Sequence, residues 1–387
     1  MVLYFKLCRT SEEVFKLSNF IVTKKIIFVL ILITISLSVL AVLGEIYVRL
    51  YSGQEYTTPE IIKNRSLQYK PSLFSRHVFP QKEMIAEEWN GAKYYINKKG
   101  YRGRDFTIVK PKGIIRIIFY GGSAVFDQES SQQRDWPHRV ENILRRNEFP
   151  EVEIINAGIP GHASFDSLGR FFAEGHHFNP DYIVLYNAWN DIKYFRSDKF
   201  LLRKFKPYIK SSDPRVDYQG VFDCFLCEHS QLYVLLRTRY CNWKLRLGPE
   251  GKKPLGKDVS ELDDSALKQY KLNIEMFVDV ARNVGTIPIL MTQARLVARD
   301  NTESQKKRIR YDYQKLDHET LCEAFEKTDE IIQQVAKEKN VFLIDVSKYL
   351  TGHGKLFRDH IHSTDKGSEE IAKIVAQHIA GLLKERQ

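Results

Sequence analysis

The chain has 387 residues, of which 43% are apolar, 28% charged and 12% aromatic. This is the composition of a folded globular protein, and it excludes a disordered, collagen-like or low-complexity chain. The 5 cysteines are too few for a disulfide-rich scaffold, and the net charge of +11 favours anionic partners such as phospholipid or acidic polysaccharide. We expect no nucleic-acid partner, because none of the common nucleic-acid-binding motifs is present.

The first predicted element is an apolar helix near the N-terminus. Residues 26–44 contain no charged side chain, and as a helix they would cross the ~30 Å hydrocarbon layer of a bilayer. Lys24 and Lys25 precede this run and Glu45 follows it, and cytosolic flanks of membrane spans are rich in Lys and Arg. We therefore predict a cytosolic tail (1–25), one transmembrane helix (26–44) and an extracytoplasmic remainder. A cleaved signal peptide is the alternative, although its apolar region is usually about 7–15 residues.

Export would place four cysteines in an oxidising compartment: Cys224, Cys227, Cys241 and Cys322. We expect one or two structural disulfides among them, and the sequence does not determine their pairing. The pair Cys224-x-x-Cys227 could instead bind zinc or carry out redox chemistry. Because no second C-x-x-C follows it, we predict no metal site there.

After a polar stem at residues 45–112, short apolar runs alternate with amphipathic helical stretches. We predict strands at residues 114–120, 152–156, 182–187, 287–292 and 341–345. One predicted helix ends at Gly285, and the last follows Thr364. This alternation indicates an α/β fold with a parallel sheet between helices, at residues 113–387. A basic and aromatic insertion at about 193–260 interrupts it, and we expect it to be an ordered lid or side wall.

Chemically useful residues follow the predicted strands. The segments are Gly121-Gly122-Ser123, Asn156-Ala157-Gly158, Ala188-Trp189-Asn190-Asp191 and, late in the chain, Asp359-His360-Ile361-His362. In open α/β sheets the ligand crevice lies at the carboxyl ends of the strands. A serine, an amide donor, a histidine and a carboxylate at that edge can form a nucleophile, an oxyanion donor and a base with its orienting partner.

These blocks, in this order, resemble the SGNH hydrolase family, also called GDSL esterases. The resemblance implies a flavodoxin-like three-layer sandwich and an ester-cleaving serine enzyme without a cofactor. Residues 96–103 in the stem also resemble a segment that precedes this domain in membrane-associated relatives. Two positions depart from the family pattern: Gly122 stands where Asp is usual, and Ala188 where Gly is usual. We expect Gly122 to be tolerated because the nucleophile and its backbone N–H remain. We expect Ala188 to be tolerated because alanine can adopt most conformations except those with φ > 0.

The resemblance implies a role for each matching residue. Ser123 would be the nucleophile, His362 its base and Asp359 the partner of that base. The oxyanion would be bound by the backbone N–H groups of Ser123 and Gly158 and by the Asn190 amide. Three neighbours, Trp189, Gly122 and His360, are candidates for substrate contact. His360 is also the competing base, because it lies two residues before His362.

We therefore predict a membrane-tethered ester hydrolase acting on acyl esters of envelope carbohydrate or lipid. An acyltransferase that passes the acyl group to a sugar hydroxyl is an alternative, because the same acyl-serine serves both reactions if water is excluded. A non-catalytic module for polysaccharide binding or assembly is the third hypothesis. The complete set of Ser, Asn, Asp and His argues against it. The sequence identifies neither a protein partner nor the substrate ester.

Overall fold

The computed structural model of the protein describes residues 11–51, 69–71, 76–78, 81–86, 92–127, 130–131, 133–196, 220–247 and 261–385. The chain divides into two compact units. Unit 1 comprises Met1–Ile62 and Ser211–Lys252, and unit 2 comprises Lys63–Lys210 and Lys253–Gln387. The predicted stem and the predicted insertion are therefore each shared between the two units.

The described helices and strands are as follows. The helices are α1 Ser11–Tyr51, α2 Ser123–Phe126, α3 Trp136–Asn147, α4 Ser164–Ala173, α5 Trp189–Ile192, α6 Val221–His229, α7 Gln231–Leu247, α8 Asp264–Asn283, α9 Glu303–Lys306, α10 Tyr311–Gln314, α11 His318–Glu338, α12 Val346–Leu350 and α13 Asp365–Lys384. The strands are β1 Tyr69–Pro71, β2 Arg76–Val78, β3 Gln81–Ala86, β4 Ala92–Ile96, β5 Ile115–Gly121, β6 Val152–Asn156, β7 Tyr182–Tyr186, β8 Ile287–Met291 and β9 Phe342–Ile344.

The centre of unit 2 is a five-stranded sheet in the order β6-β5-β7-β8-β9. All its strand pairs are parallel, and this strand order is that of flavodoxin-like folds. The five predicted strands are confirmed, with each end within one residue of the prediction. Pro288 is the second residue of β8, near the strand start, where a missing N–H is tolerated.

Helices cover both faces of this sheet, as the sequence predicts. Helices α3 and α13 pack together, and α4, α8 and α11 form a second contacting group. Helix α8 buries one face that includes Tyr270, Ile274 and Phe277. Gly285 follows it with a φ of +77°, which confirms the predicted glycine stop. Helix α13 begins after Thr364, whose hydroxyl accepts a hydrogen bond from the Gly367 N–H at 3.1 Å.

The C-terminal part of the predicted stem belongs to the core of unit 2. Strands β3 and β4 form an antiparallel pair, and the segment after β4 buries Tyr101 and Phe106. The Phe106 ring packs edge-on against Phe178, with 5.0 Å between ring centroids. The next residue after Tyr101, Arg102, bridges to Asn156 at the end of β6. This segment therefore reaches the edge of the sheet where the strands end.

Unit 1 contains the long helix α1 and a hairpin of α6 and α7. Within the described residues, Val22–Leu50 is the one segment long and apolar enough to cross a membrane, and none of its most apolar part is buried. The hairpin is closed by an ion pair in which Arg237 Nε lies 2.7 Å from Asp223 Oδ1. Both of these side chains are buried, so the pair fixes how α6 lies against α7.

The expected disulfides are not found. All four cysteines downstream of α1 are thiols in the described part of the chain: Cys224, Cys227, Cys241 and Cys322. Cys224 and Cys227 lie one turn apart on α6 and donate in opposite directions along it, to Glu228 (3.4 Å) and to Asp223 (3.8 Å). The helix thus holds the two sulfur atoms in separate hydrogen bonds, and the prediction of one or two disulfides is wrong for this structure.

Candidate active site

The candidate nucleophile lies where β5 ends and α2 begins. Ser123 is the first residue of α2 and is 8% exposed. The turn before it requires Gly121, since a Cβ there would lie 2.4 Å from Val125 Cγ2 and 2.5 Å from the Tyr186 carbonyl oxygen. The short helix can therefore fold back on the strand only if this position lacks a side chain. The result is a serine presented at the carboxyl edge of the sheet.

Three residues that the sequence analysis selected come together at this edge. His362 Nε2 lies 2.8 Å from Ser123 Oγ, and His362 Nδ1 lies 2.7 Å from Asp359 Oδ2. Both distances are those of hydrogen bonds. The imidazole thus lies between the hydroxyl and the carboxylate, which is the arrangement a general base needs to take a proton from serine.

The Asp359 carboxylate is fixed by its own loop. Its Oδ1 accepts hydrogen bonds from the backbone N–H groups of Ile361 (3.0 Å) and His362 (2.9 Å). Burial alone would raise the pKa of Asp359, but the hydrogen bond and positive charge of His362 hold that pKa below its usual range. The carboxylate is therefore ionised at neutral pH and can stabilise a protonated His362.

His360 has a different environment from His362. Its ring lies against Trp189, with 3.8 Å between ring centroids, and its backbone oxygen accepts a hydrogen bond from the Leu296 N–H. Burial, partly opposed by the charge of Asp359, lowers the pKa of His360 to about 3. His360 is therefore neutral at neutral pH and serves as packing beside the site, whereas His362 contacts the serine.

Asn190 lies on the other side of the serine turn. Its Nδ2 donates to the His162 carbonyl oxygen at 2.9 Å, and Tyr313 Oη donates to its Oδ1 at 3.3 Å. These two contacts determine which end of the amide faces the serine turn. A Cβ at position 122 would lie 2.5 Å from Asn190 Nδ2. Gly122, which the sequence presents in place of Asp, therefore leaves the space that the Asn190 amide occupies.

The two departures from the family pattern have different physical explanations. Gly122 has a φ of −87°, so it is required for space and not for backbone conformation. Ala188 has a φ of −157° and a ψ of −59°. This φ is negative, which is the condition that the sequence analysis set for alanine at this position. That Ala188 is tolerated at this position stays a prediction.

Gly158 lies at the second strand end, and its N–H already has an acceptor. It donates to Asn156 Oδ1 at 3.0 Å. A Cβ at Gly158 would lie 2.4 Å from the Phe126 backbone nitrogen, so this glycine lets the β6 loop pack against α2. Gly161 lies in the same turn with a φ of +84°.

A buried arginine in the segment predicted as a stem binds the carbonyl oxygens at the end of α2. Arg102 donates through Nη1 to the carbonyl oxygens of Phe126 (2.7 Å) and Asp127 (2.8 Å), and through Nη2 to that of Ser130. Its Nε lies 3.5 Å from Asp135 Oδ1. These carbonyls follow the serine helix directly, where helical backbone acceptors lack internal partners. Arg102 therefore satisfies them and fixes the helix that carries the nucleophile.

Asp191, the residue after Asn190, is completely buried and holds α4. Its carboxylate accepts hydrogen bonds from the Ser164 backbone N–H (2.9 and 3.1 Å) and the Ser164 hydroxyl (2.6 Å). Burial raises the pKa of Asp191 to about 7, although the Ser164 hydrogen bonds act in the opposite direction. The loop that carries Asn190 is thus tied to the N-terminus of α4 by a carboxyl group that titrates near neutrality.

Asp359, His360 and His362 are also the described residues whose side chains lie close enough together to bind a metal ion, with ligand atoms within 4.8 Å of one another. Both nitrogens of the His362 ring are already hydrogen-bonded, one to Ser123 and the other to Asp359. An ion at His362 would have to displace one of these contacts. The arrangement therefore favours proton transfer over metal binding.

Two side chains of this site belong to none of the sequence motifs that identified the others. Tyr313 donates to Asn190 and stacks on Trp189 with 5.8 Å between ring centroids, yet it lies in a charged stretch without a motif. Gln293 accepts a hydrogen bond from the Trp189 N–H at 2.8 Å. Gln293 follows a strand end by two residues, and this position at the edge of the sheet was the one available indication of its role.

No family model matches the chain, and no curated protein matches it. Solved structures are similar in part. They include a G-D-S-L family lipolytic protein from Desulfitobacterium hafniense, at 12% identity, with 68% of this chain and 98% of that chain covered and a TM-score of 0.39. An acetylxylan esterase from Geobacillus stearothermophilus is similar at 14% identity, with 70% and 96% covered and a TM-score of 0.38. At these values the similarity carries no information about substrate.

Proposed function

We propose that the protein is a membrane-tethered serine ester hydrolase that acts on acyl esters of envelope carbohydrate or lipid. The observation that carries the proposal is the continuous hydrogen-bonded series from Ser123 through His362 to Asp359, at 2.8 and 2.7 Å. Serine becomes a useful nucleophile only when a positioned base removes its proton, and a buried carboxylate stabilises the protonated base.

In this mechanism Ser123 Oγ attacks the ester carbonyl while His362 Nε2 takes its proton. His362 then gives the proton to the leaving alcohol, which leaves an acyl-serine. Water, activated by the same imidazole, releases the acid in the second half. Asp359 remains ionised throughout and holds the His362 tautomer through Nδ1.

The oxyanion of the tetrahedral intermediate needs donors that are fixed before the reaction. We assign the Ser123 backbone N–H, at the start of α2, and Asn190 Nδ2 to this role. Gly158 was the expected third donor, but its N–H donates to Asn156. To bind the oxyanion, the Gly158 N–H would have to leave Asn156 Oδ1.

The membrane part of the proposal is supported by α1. The helix is continuous through the apolar segment, and beyond it Glu45 and Arg49 contact residues near the junction of α6 and α7. A helix that packs against later parts of the chain is better explained as a retained anchor than as a cleaved signal peptide. Lys24 and Lys25 favour a cytosolic N-terminus. Protease added to spheroplasts should therefore digest unit 2 and spare an N-terminal tag. A protected unit 2 would contradict the orientation.

Hydrolysis of p-nitrophenyl acetate by the full chain tests the catalytic assignment. Ser123→Ala and His362→Ala should each remove nearly all activity, and the double variant should lose little more, because the two residues act as one unit. Asn190→Ala should lower kcat by about 10²–10³ with KM nearly unchanged. A fluorophosphonate should label Ser123 in the wild type.

The matched control is His360→Ala, which leaves the contact between His362 and Ser123 intact. It should have a mild effect on kcat. The assignment is wrong if Ser123→Ala retains full activity, or if His360→Ala is more damaging than His362→Ala. To separate hydrolysis from acyl transfer, the products are analysed with and without a sugar acceptor. Acylated sugar in place of free acid would identify a transferase with the same acyl-serine.

A further inference from the structure

The junction of α6 and α7 is hydrogen-bonded to α1 at one position along that helix, next to Glu45. Glu45 accepts hydrogen bonds from the Ser230 hydroxyl (2.7 Å) and from the backbone N–H groups of Gln231 and Leu232 (both 2.9 Å). Arg49 donates to the His229 carbonyl oxygen at 3.1 Å. One carboxylate therefore caps the start of α7, and the arginine one turn later on α1 binds the end of α6.

Glu45 lies where a helix that enters the bilayer at Lys25 would leave the hydrocarbon layer on the opposite side. Glu45 is 20 positions after Lys25. A helix rises about 1.5 Å per residue, which gives about 30 Å, the thickness of the hydrocarbon layer. If Lys25 lies at the cytosolic boundary, Glu45 lies at the opposite one. The hairpin therefore begins where acyl chains meet lipid headgroups.

The outward faces of the hairpin have the composition of a membrane interface. On α7 the exposed side chains recur at helical spacing: Leu236, Arg239, Tyr240, Trp243 and Lys244. Trp243 is 57% exposed and Tyr240 is 55% exposed. Tryptophan and tyrosine are enriched at headgroup level, and arginine and lysine reach phosphate while their stems stay in apolar surroundings.

Helix α6 adds exposed apolar side chains. Val221 and Phe222 are 86% and 84% exposed, and Phe225, one turn later, is 55% exposed. Two charged side chains of the hairpin, Asp223 and Arg237, are instead buried as an ion pair. Clustered exposed apolar residues of this kind mark a contact site.

We infer that the α6–α7 hairpin lies on the outer leaflet of the membrane, with the Trp243 face of α7 in contact with lipid. The inference rests on the membrane anchoring included in the proposed function. It adds a second membrane contact, made by the insertion that follows Asn190 in the chain. Phospholipid is the occupant favoured by the level of Glu45 and by the basic and aromatic composition of α7.

The test measures tryptophan emission of the full chain in nanodiscs made with lipids brominated on their acyl chains. Discs of the same lipids without bromine are the reference. Trp243 should be quenched, and Trp243→Phe should lose that quenched part of the emission. The other three tryptophans of the chain, Trp89, Trp136 and Trp189, are present in both proteins. The difference between the two emissions therefore reports on Trp243.

Acrylamide in the aqueous phase distinguishes the other possible environments. Quenching of Trp243 by acrylamide but not by brominated lipid would show that α7 faces water and would overturn the inference. Protection from both quenchers would show that a second protein surface covers this face, and would also overturn it. Release of the chain from the discs would refute the anchor itself. A chain that stays in the discs without lipid quenching refutes only the hairpin contact.

Discussion

Replacing Arg102 should damage catalysis from a position that never touches the substrate. In Arg102→Met the volume and apolar stem are largely kept, but the carbonyl oxygens of Phe126 and Asp127 lose donors at 2.7 and 2.8 Å. Asp135 loses its nearby guanidinium but keeps the hydrogen bond from His138 at 2.6 Å. The change therefore releases the end of the nucleophile helix without dismantling the whole buried network.

The size of the effect follows from burial. Removing one partner of a buried ion pair costs about 3–5 kcal/mol. Unit 2 has roughly 280 residues, and at that size each kcal/mol lowers Tm by about 2 °C, so we expect a loss of roughly 6–10 °C. A shift of the serine of about 1 Å relative to its base can lower turnover by about 10²-fold. The fall should appear in kcat, with KM nearly unchanged.

The assay combines thermal unfolding with hydrolysis of p-nitrophenyl acetate below the Tm of the variant. Arg104→Met is the matched control, because Arg104 lies in the same segment but pairs with Glu141 from a half-exposed position. Arg102→Lys should recover only part of the activity, since an ammonium group cannot span three carbonyls as the planar guanidinium does. A lower Tm with an unchanged kcat would refute the positioning role, and an unchanged Tm would refute the energetic reasoning.

Three further predictions concern single residues. Gly122→Ala should lower kcat by about 10²-fold through loss of the oxyanion donor, because the new Cβ would lie 2.5 Å from Asn190 Nδ2. Stopped-flow hydrolysis should show this fall with an unchanged KM, and a fully active variant would contradict the prediction. Burial raises the pKa of Asp191 to about 7 against 3.8 when unfolded, so its ionisation should lower the free energy of unfolding as pH rises from about 4 to 7. Urea titrations should show this slope reduced in Asp191→Asn; equal slopes would count against the raised pKa. Glu45→Ala should uncap α7 at a cost of about 1 kcal/mol and speed proteolysis within residues 220–247, whereas an unaltered cleavage rate would show that the cap contributes little.

The strands of the sheet could be predicted because the apolar pattern of each strand lies within a few consecutive residues. Each strand of unit 2 is a short apolar run bounded by polar or glycine-containing segments, and a parallel sheet brings their carboxyl ends to one edge. Ser123, Asp359 and His362 could therefore be grouped before any distance was known. The choice of His362 over His360 came from the spacing of the resembling motif, and the structure supplies its physical reason. Trp189 packs against His360 and leaves His362 beside the serine.

Other features depend on contacts between distant parts of the chain. Arg102 and Phe126 are 24 residues apart, and Glu45 and Ser230 are 185 apart, and neither pair has a sequence pattern that links its members. For the cysteines, the sequence pattern predicted contacts that the structure does not contain. An even number in an exported segment predicts bridges, but a helix separates the sulfur atoms of Cys224 and Cys227 and gives each a carboxylate partner.

The discontinuity of unit 1 affects how the enzyme could be released from a cell. Two segments, Met1–Ile62 and Ser211–Lys252, make up this unit, so the polypeptide passes between the units three times. A protease that cuts once after α1 would sever one connection. The hydrogen bonds of Glu45 to the start of α7 would still join the fragments. If α1 is the membrane anchor that we propose, shedding of a soluble catalytic fragment would therefore require several cuts or the loss of this cap.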